Sequence, residues 1–222
     1  TMIDDLWHAT INGRGKMYLA TTPEETAIQI RNGLNDILSQ QGAQGGVAVS
    51  AVNLDRSDGR AYLGYYNQRG WSGDLEARSI NTATAVISNA VTWSAATRLA
   101  AADWTKRKLF SSSGGTGLEF TSDNFGAAVN PDAATFTDAK VVDYIRGDRT
   151  GEGDTVRIRS SLMGAVVNSE PVLARDEKVV YVASGEGMLH AFDTGTGDEL
   201  WAYLPQDKLA AIGQSVQRGW VY

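Results

Sequence analysis

Two histidines and a few aspartates are the side chains of this chain best suited to proton transfer or metal binding. The histidines are His8 and His190, and the sequence contains no cysteine. Two imidazoles without a thiolate leave a transition-metal site short of ligands unless distant carboxylates supply them. His190 lies between Leu189 and Ala191, which favours a packed, hydrogen-bonded structural role. The same role is predicted for His8, which follows a tryptophan.

Three aspartates, Asp74, Asp193 and Asp198, are the natural candidates for acid–base chemistry. Each is predicted to lie in a turn, where aspartate is common because its carboxylate accepts hydrogen bonds from nearby backbone N–H groups. The Gly185–Gly187 segment lacks the third glycine of a dinucleotide-binding loop, and no hydrolase spacing, nucleophile elbow or phosphate loop is present. The sequence therefore predicts no catalytic residue, no bound cofactor and no enzyme.

The segment 53–59 comes nearest to a calcium-binding loop. Such loops place oxygen ligands at alternate positions, and Asn53, Asp55 and Ser57 have that spacing. An arginine intrudes among them, however, and the twelfth position is Gly64 rather than an acidic residue. We therefore predict a polar hairpin turn here and no metal site in this chain.

Arg146-Gly147-Asp148 spells the tripeptide that integrin ligands display on exposed loops. The glycine-rich sequence that follows it would permit exposure. Arg146, Gly147 and Asp148 are therefore a candidate adhesion motif. The alternative, that Arg146 or Asp148 pairs inside the protein, stays open.

Composition limits the class of protein and its partners. Of the 222 residues, 42% are hydrophobic and 21% are charged, which is typical of one or two globular domains. The formal net charge of −6 and the lack of a large basic cluster argue against a nucleic-acid partner. No apolar run approaches the roughly 18 residues that a membrane-spanning helix needs. Because the chain stops soon after its clearest sheet pattern, we expect it to be part of a longer protein.

The clearest structural pattern is Lys178–Pro205. A β-branched and aromatic run predicts a strand at 179–182, alternation predicts a second at 188–192, and a third is predicted at 200–203. Asp193–Gly197 is predicted to be a tight turn between the last two. Strand, glycine turn, strand, Asp/Gly turn and aromatic strand is the pattern of one β-propeller blade.

The remaining elements mix helices with short strands. Helices are predicted from Thr22 to about Gln41, over 93–101, from Thr137 with Val141, Val142 and Ile145 facing inward, and over 206–216. Strands are predicted at 47–51, 61–66, 76–80, 106–110 and 156–159, an exposed loop at 111–117, and irregular structure at 125–136. The fold class is therefore mainly β with inserted helices. We predict that residues 1–45 form a helical lead-in and that residues 46–222 form a partial, open β-propeller of about two or three blades.

Five segments carry a resemblance to a known family. The Lys178–Pro205 segment resembles the quinoprotein-type propeller repeat, a pattern shared by many propellers. Four further segments resemble, in order and wording, the PilY/PilC family of type IV pilus tip-associated proteins: 4–15, 70–75, 142–148 and 162–172. The chain is thus similar to the N-terminal part of that family's C-terminal propeller domain.

The resemblance implies a non-enzymatic role in pilus biogenesis, with support of pilus assembly and surface attachment. Its implied partners are minor pilins and other pilus tip components, with a host-cell surface as a further partner. The implied location is the periplasm, outer membrane or cell surface at the pilus tip of a Gram-negative bacterium. Calcium is implied only for a full-length family member, since the family's aspartate-rich loop is expected to lie outside this segment. Two alternatives stay open: a fragment of a PQQ-type quinoprotein dehydrogenase, and an outer-membrane assembly scaffold propeller.

Overall fold

The computed structural model describes residues 59–67, 70–81, 83–84, 86–174 and 178–219, the backbone of 44–49, and the four separate residues His8, Thr22, Glu25 and Gln29. Its contacts divide the chain into two compact units, Thr1–Gln41 and Gly42–Tyr222. In the first unit, His8, Glu25 and Gln29 are helical. The Thr22 hydroxyl accepts a hydrogen bond from the Glu25 N–H at 3.2 Å, which confirms the predicted N-cap. The rest of the predicted helix lies outside the described residues.

The second unit opens with a four-stranded antiparallel sheet. Its strands are β1 (Gln44–Val49), β2 (Arg60–Asn67), β3 (Ser72–Asn81) and β4 (Val86–Ser94), paired in that order. The chain simply doubles back three times, so each strand pairs with the next one along the sequence. This confirms the predicted hairpin after Gly46 and the strand after Trp71, whereas β4 and its edge position were not predicted.

A six-stranded sheet follows, built from β5 (Leu109–Ser113), β6 (Thr116–Glu119), β7 (Val172–Ala174), β8 (Val179–Ala183), β9 (Leu189–Asp193) and β10 (Glu199–Tyr203). Its spatial order is β6-β5-β10-β9-β8-β7. The last four strands form a second antiparallel meander, and the β5–β6 hairpin joins it because β5 pairs in parallel with β10. The three strands and the turn predicted within Lys178–Pro205 are confirmed.

Four short α-helices are described: α1 (Ala95–Ala101), α2 (Ser122–Val129), α3 (Asp138–Arg146) and α4 (Leu209–Gln214). The first three begin at a hydroxyl N-cap, respectively Ser94, Thr121 and Thr137, each of which accepts a backbone N–H bond. Helix α3 turns its three predicted apolar residues inward as expected. Helix α4 and the 3-10 turn before it confirm the helix predicted over 206–216.

The two sheets share one apolar core. Tyr62, Leu75 and Trp93 of the first sheet pack with Val180 and Phe192 of the second. The Trp93 indole also donates a hydrogen bond of 2.9 Å to the Thr194 carbonyl, in the turn between β9 and β10. A second core lies between helices α2–α4 and strands β5 and β10. The first sheet and the helices therefore both pack against the six-stranded sheet.

Several sequence predictions were wrong in detail. The segment 111–117 is a β-hairpin rather than a loop: residues 113–117 are exposed as predicted, but Ser111 is fully buried and Gly114-Gly115 form the turn at positive φ. The irregular segment 125–136 begins inside α2. Residues 156–159 form no strand, because Val156 makes only an isolated bridge to Glu152. In addition, 93–94 belong to β4, and the strand predicted at 106–110 begins at Leu109.

The architecture is mainly β with a few inserted helices, as predicted. Within the described ranges the two sheets do not close into a ring. The first strand begins at Gln44, while the predicted boundary of the propeller at residue 46 stays a prediction. No helix of the described chain is long and apolar enough to cross a membrane.

Candidate functional site

A buried histidine at the centre of the six-stranded sheet organises the most polar part of the core. His190 lies in β9 with no exposed surface, on the face that carries Val182 and Ala202 opposite it on the neighbouring strands. Its Nε2 lies 2.8 Å from Ser184 Oγ, and its Nδ1 lies 2.8 Å from Glu199 Oε1. The predicted role of a packed, hydrogen-bonded His190 is confirmed.

Two further charged groups complete this buried network. The Arg107 guanidinium binds the Glu199 carboxylate through two nitrogens, Nε to Oε2 and Nη2 to Oε1. Glu186 Oε1 lies 3.7 Å from His190 Nε2. The network therefore contains two basic and two acidic side chains, and it connects the chain before β5 with β9 and β10. We call Arg107, Ser184, Glu186, His190 and Glu199 the buried network.

The charges of the network stabilise one another. Burial raises the pKa of Glu199, but the charge and hydrogen bonds of Arg107 and the contact with His190 outweigh it and lower that pKa to about 2. Burial lowers the pKa of His190, but hydrogen bonds and charge from Glu186 and Glu199 outweigh it and raise that pKa above its ordinary value. The geometry favours the same protonated form, because Ser184 already donates to the Met188 carbonyl and the Glu199 carboxylate can only accept, so both His190 nitrogens face acceptors.

The order Ser184, His190, Glu199 is the hydrogen-bonding order of a serine hydrolase triad. The hydrogen bonds of His190 argue against that chemistry, since both ring nitrogens face acceptors and the protonated ring that this favours has no lone pair with which to accept the serine proton. Ser184 Oγ also lies 3.3 Å from the Met188 carbonyl, to which it donates. The arrangement therefore suits a structural clamp between strands better than a nucleophile.

The network makes a definite prediction for the pH dependence of folding. The pKa of Glu199 is lowered from 4.5 to about 2, so its contribution is present above pH 4.5 and is lost as the pH falls toward 2. The pKa of His190 is raised from 6.5, so its contribution is full below pH 6.5 and is lost as the pH rises through the raised value. Urea unfolding at a series of pH values should show a maximum between about pH 4.5 and 6.5. Stability that continues to rise with pH above this window would contradict a protonated His190.

A cleft opens beside this network at the surface. It has a volume of about 720 Å³, and its walls are the Trp71 side chain, the segment 165–169 and the segment 183–185. Ser184 belongs to both the cleft wall and the buried network. The residues lining the cleft are Trp71, Ala165, Val167, Asn168, Ser169, Ala183, Ser184 and Gly185, none of which carries a charge.

Backbone hydrogen bonds between distant segments fix the shape of the cleft. The Trp71 carbonyl accepts the Ala165 N–H at 3.1 Å, and the Ala165 carbonyl accepts the Gly185 N–H at 2.8 Å. The Ala183 N–H donates to Ser169 Oγ at 2.8 Å. The three walls are therefore connected to one another before any ligand arrives. Sequence reasoning missed the cleft because its walls are far apart in the chain.

The candidate adhesion tripeptide does not lie on an exposed loop. Arg146 is 8% exposed and Asp148 is 6% exposed. The Arg146 guanidinium donates to three backbone carbonyls, and Asp148 accepts bonds from Thr150 and Lys140. Gly147 has φ of 129° and ends α3. The internal pairing left open by the sequence is observed. Adhesion through Arg146, Gly147 and Asp148 stays a prediction, and this fold lacks the exposure that it would need.

The other predicted residues have separate positions. Asp193 caps its turn by accepting the N–H groups of Gly195 and Thr196, as predicted. Asp74 lies inside β3 rather than in a turn, and it accepts bonds from the Ser94 hydroxyl and the Ala96 N–H at the start of α1. Asp198 forms an exposed ion pair with Arg98. The loop 53–58 lies outside the described residues, and the side chains that are described form no metal-binding group of three or more.

Comparisons with known proteins agree with the family resemblance. The chain is 27% identical over 263 residues to the "Type IV pilus biogenesis factor PilY1" of Pseudomonas aeruginosa strain PAK, covering 97% of this chain. It is also 27% identical over 220 residues to the PilY1 homolog of Xylella fastidiosa strain Temecula1, covering 85% of this chain.

This chain is similar to PilY1 over nearly all of its length. The predicted resemblance to the PilY/PilC family is confirmed. The matched part is 22% of the Pseudomonas PilY1 and 17% of the Xylella homolog, so the chain spans about a fifth of these relatives. No family model matches the chain, and no solved structure matches it. Neither PilY1 relative is named as a dehydrogenase or an outer-membrane assembly factor.

Proposed function

We propose that this chain is a non-enzymatic, structural part of a type IV pilus biogenesis protein. The observation that carries the proposal is the similarity to PilY1 over 97% of the chain. The buried network supports it, because its serine, histidine and carboxylate are bound to one another and to Arg107 within the core. The proposed partners are pilus tip components such as minor pilins, and the proposed location is the periplasm or cell surface of a Gram-negative bacterium. Attachment to a host-cell surface is proposed as a property of the whole protein.

We further propose that the two meanders are neighbouring blades of a β-propeller in the whole protein. In a propeller, each blade packs between two others. One face of the six-stranded sheet carries the buried Val180, Val182 and Phe192 and is covered by the first sheet. The other face carries a row of apolar side chains, which we call the outer sheet face: Phe110, Val172, Tyr181, Leu189 and Trp201.

The outer sheet face is only partly covered in this chain. Val172 is 58% exposed and Phe110 is 37% exposed, while the Tyr181 and Trp201 rings contact each other at a centroid distance of 5.7 Å. A continuous apolar face of this kind is unusual on a protein surface and marks a contact with another element. A further blade of the longer protein is the proposed cover.

Cysteine labelling tests the propeller. The chain has no cysteine of its own, so Val172→Cys and Ile158→Cys each place one thiol in it. Ile158 is 67% exposed and lies outside the strands of the six-stranded sheet, so it is the matched control. In the full-length protein, Val172→Cys should react with a maleimide at least about tenfold more slowly than Ile158→Cys, because the reagent needs an exposed thiol. Equal labelling rates would contradict coverage by another blade.

A genetic experiment tests the non-enzymatic role in pilus biogenesis. Deleting the coding segment for this chain from the full-length gene should abolish surface pili. Ser184→Ala should leave the number of pili unchanged, because it removes one hydroxyl from a network that keeps its charges paired. Loss of pili in a stably folded Ser184→Ala protein would point instead to a serine-dependent reaction.

A further inference from the structure

The cleft beside Trp71 has the chemistry of a small-molecule site. Its volume of about 720 Å³ falls in the range of ligand pockets, which are mostly apolar with a few polar groups. The polar groups here are the Asn168 side-chain amide and the Ser169 hydroxyl, because the Ser184 hydroxyl is already bonded to His190 and to the Met188 carbonyl. Because Ser169 Oγ accepts the Ala183 N–H, its own hydrogen remains able to donate. No charged side chain lines the cleft, which disfavours an ionic ligand.

Trp71 presents an aromatic surface at the mouth of the cleft. The residue is 42% exposed, although tryptophan usually buries most of its surface in a protein. Its φ is +44°, and it is the only non-glycine residue with positive φ among those described. A bulky residue in the left-handed region is strained. Such strain is most common at binding and catalytic sites.

We propose that this cleft binds a neutral carbohydrate, with one face of a sugar ring stacked on Trp71. The C–H groups of a pyranose ring carry partial positive charge and meet the electron-rich face of the indole. Asn168 and Ser169 then bind ring hydroxyls, each of which is both a donor and an acceptor. The site is independent of the proposed role in pilus assembly, since it depends only on the cleft walls.

Ligand-observed NMR on the full-length protein tests the site. The probes are methyl β-galactoside and N-acetylglucosamine, with N-acetylneuraminic acid as an anionic sugar and a proline-rich peptide as the competing apolar ligand. Saturation transfer to at least one neutral sugar is expected, with weaker transfer to the anionic sugar. The proposal is overturned if neither neutral sugar binds, or if the peptide or the anionic sugar binds in preference.

Variants of Trp71 separate binding from folding. Trp71→Gly removes the stacking surface and also relieves the backbone strain at positive φ, so its Tm should be unchanged or higher. The same change should weaken neutral-sugar binding about tenfold or more, whereas Trp71→Phe keeps a ring and should weaken it less. Phe110→Ala, on the outer sheet face, is the control and should bind sugar normally. Sugar binding that survives Trp71→Gly would overturn the site, whether or not the variant still supports pilus assembly.

Discussion

Replacing Glu199 by glutamine is expected to destabilise the folded chain by about 3–5 kcal/mol, the usual cost of removing one partner from a buried ion pair. The Arg107 and Glu199 side chains are 6% and 4% exposed, and His190 is fully buried. Glutamine would keep the size of the side chain but leave the buried Arg107 guanidinium without its carboxylate, with Glu186 as the remaining carboxylate beside His190. Urea or thermal unfolding of the purified protein measures the loss directly.

The neighbouring residue supplies a matched control. Asp198 pairs with Arg98 at 4.0 Å, and these side chains are 63% and 49% exposed. Asp198→Asn should therefore cost less than about 1 kcal/mol, because exposed pairs are screened by water and salt. If Glu199→Gln and Asp198→Asn cost the same, the buried network would not stabilise the sheet. Arg107→Met provides a second arm, because it leaves Glu199 paired with His190 alone. Arg107→Met should lower the free energy of unfolding by less than Glu199→Gln does only if His190 is charged, because a charged His190 still neutralises Glu199.

Strands with a local pattern could be predicted from the sequence, and elements held by distant contacts could not. Strands β8 and β9 are indicated by β-branched content and period-two burial, which short-range patterning encodes. The sequence of the β5–β6 hairpin predicts a loop because Ser111 to Gly117 is rich in serine and glycine. Its strands form because β5 pairs with β10, about ninety residues later in the chain. Helix α2 was missed for a related reason, since Gly126 lowers its helix propensity while Phe125 and Val129 are held by the core.

The candidate sites show the same limit. The structural role of His190 follows from its apolar neighbours, but Ser184 and Glu199 look like an ordinary turn serine and an exposed strand-end acid. Only the folded sheet brings both to within 2.8 Å of the imidazole. For the adhesion tripeptide, the sequence left both internal pairing and exposure open. Internal pairing occurs because three backbone carbonyl groups within residues 105–120 accept hydrogen bonds from the Arg146 guanidinium. These residues are distant in sequence from the tripeptide.

Gly197→Ala is expected to break the contact between the two sheets. Gly197 has φ of +77°, and a Cβ placed there would lie 2.5 Å from Trp93 Cδ2. Trp93 cannot move away freely, because its ring lies between Tyr62 at 5.7 Å and Phe192 at 6.5 Å. The left-handed backbone costs an alanine about 1–2 kcal/mol, and overpacking adds about 1–3 kcal/mol. The total expected loss in the free energy of unfolding is therefore about 2–5 kcal/mol.

Two other glycines separate these contributions. Gly115 has φ of +84°, and a Cβ added there would meet no heavy atom within 4 Å, so Gly115→Ala measures the backbone strain alone. Gly117 has equally open space and no positive φ, so Gly117→Ala should change stability by less than about 0.5 kcal/mol. The difference between Gly197→Ala and Gly115→Ala then isolates the packing of Trp93. If that difference is near zero, the Trp93 ring moves aside without loss of stability. The first sheet is then not fixed to the second through this turn. Loss of pili in full-length Gly197→Ala, with normal pili in Gly115→Ala, would link that inter-sheet contact to the proposed scaffold role.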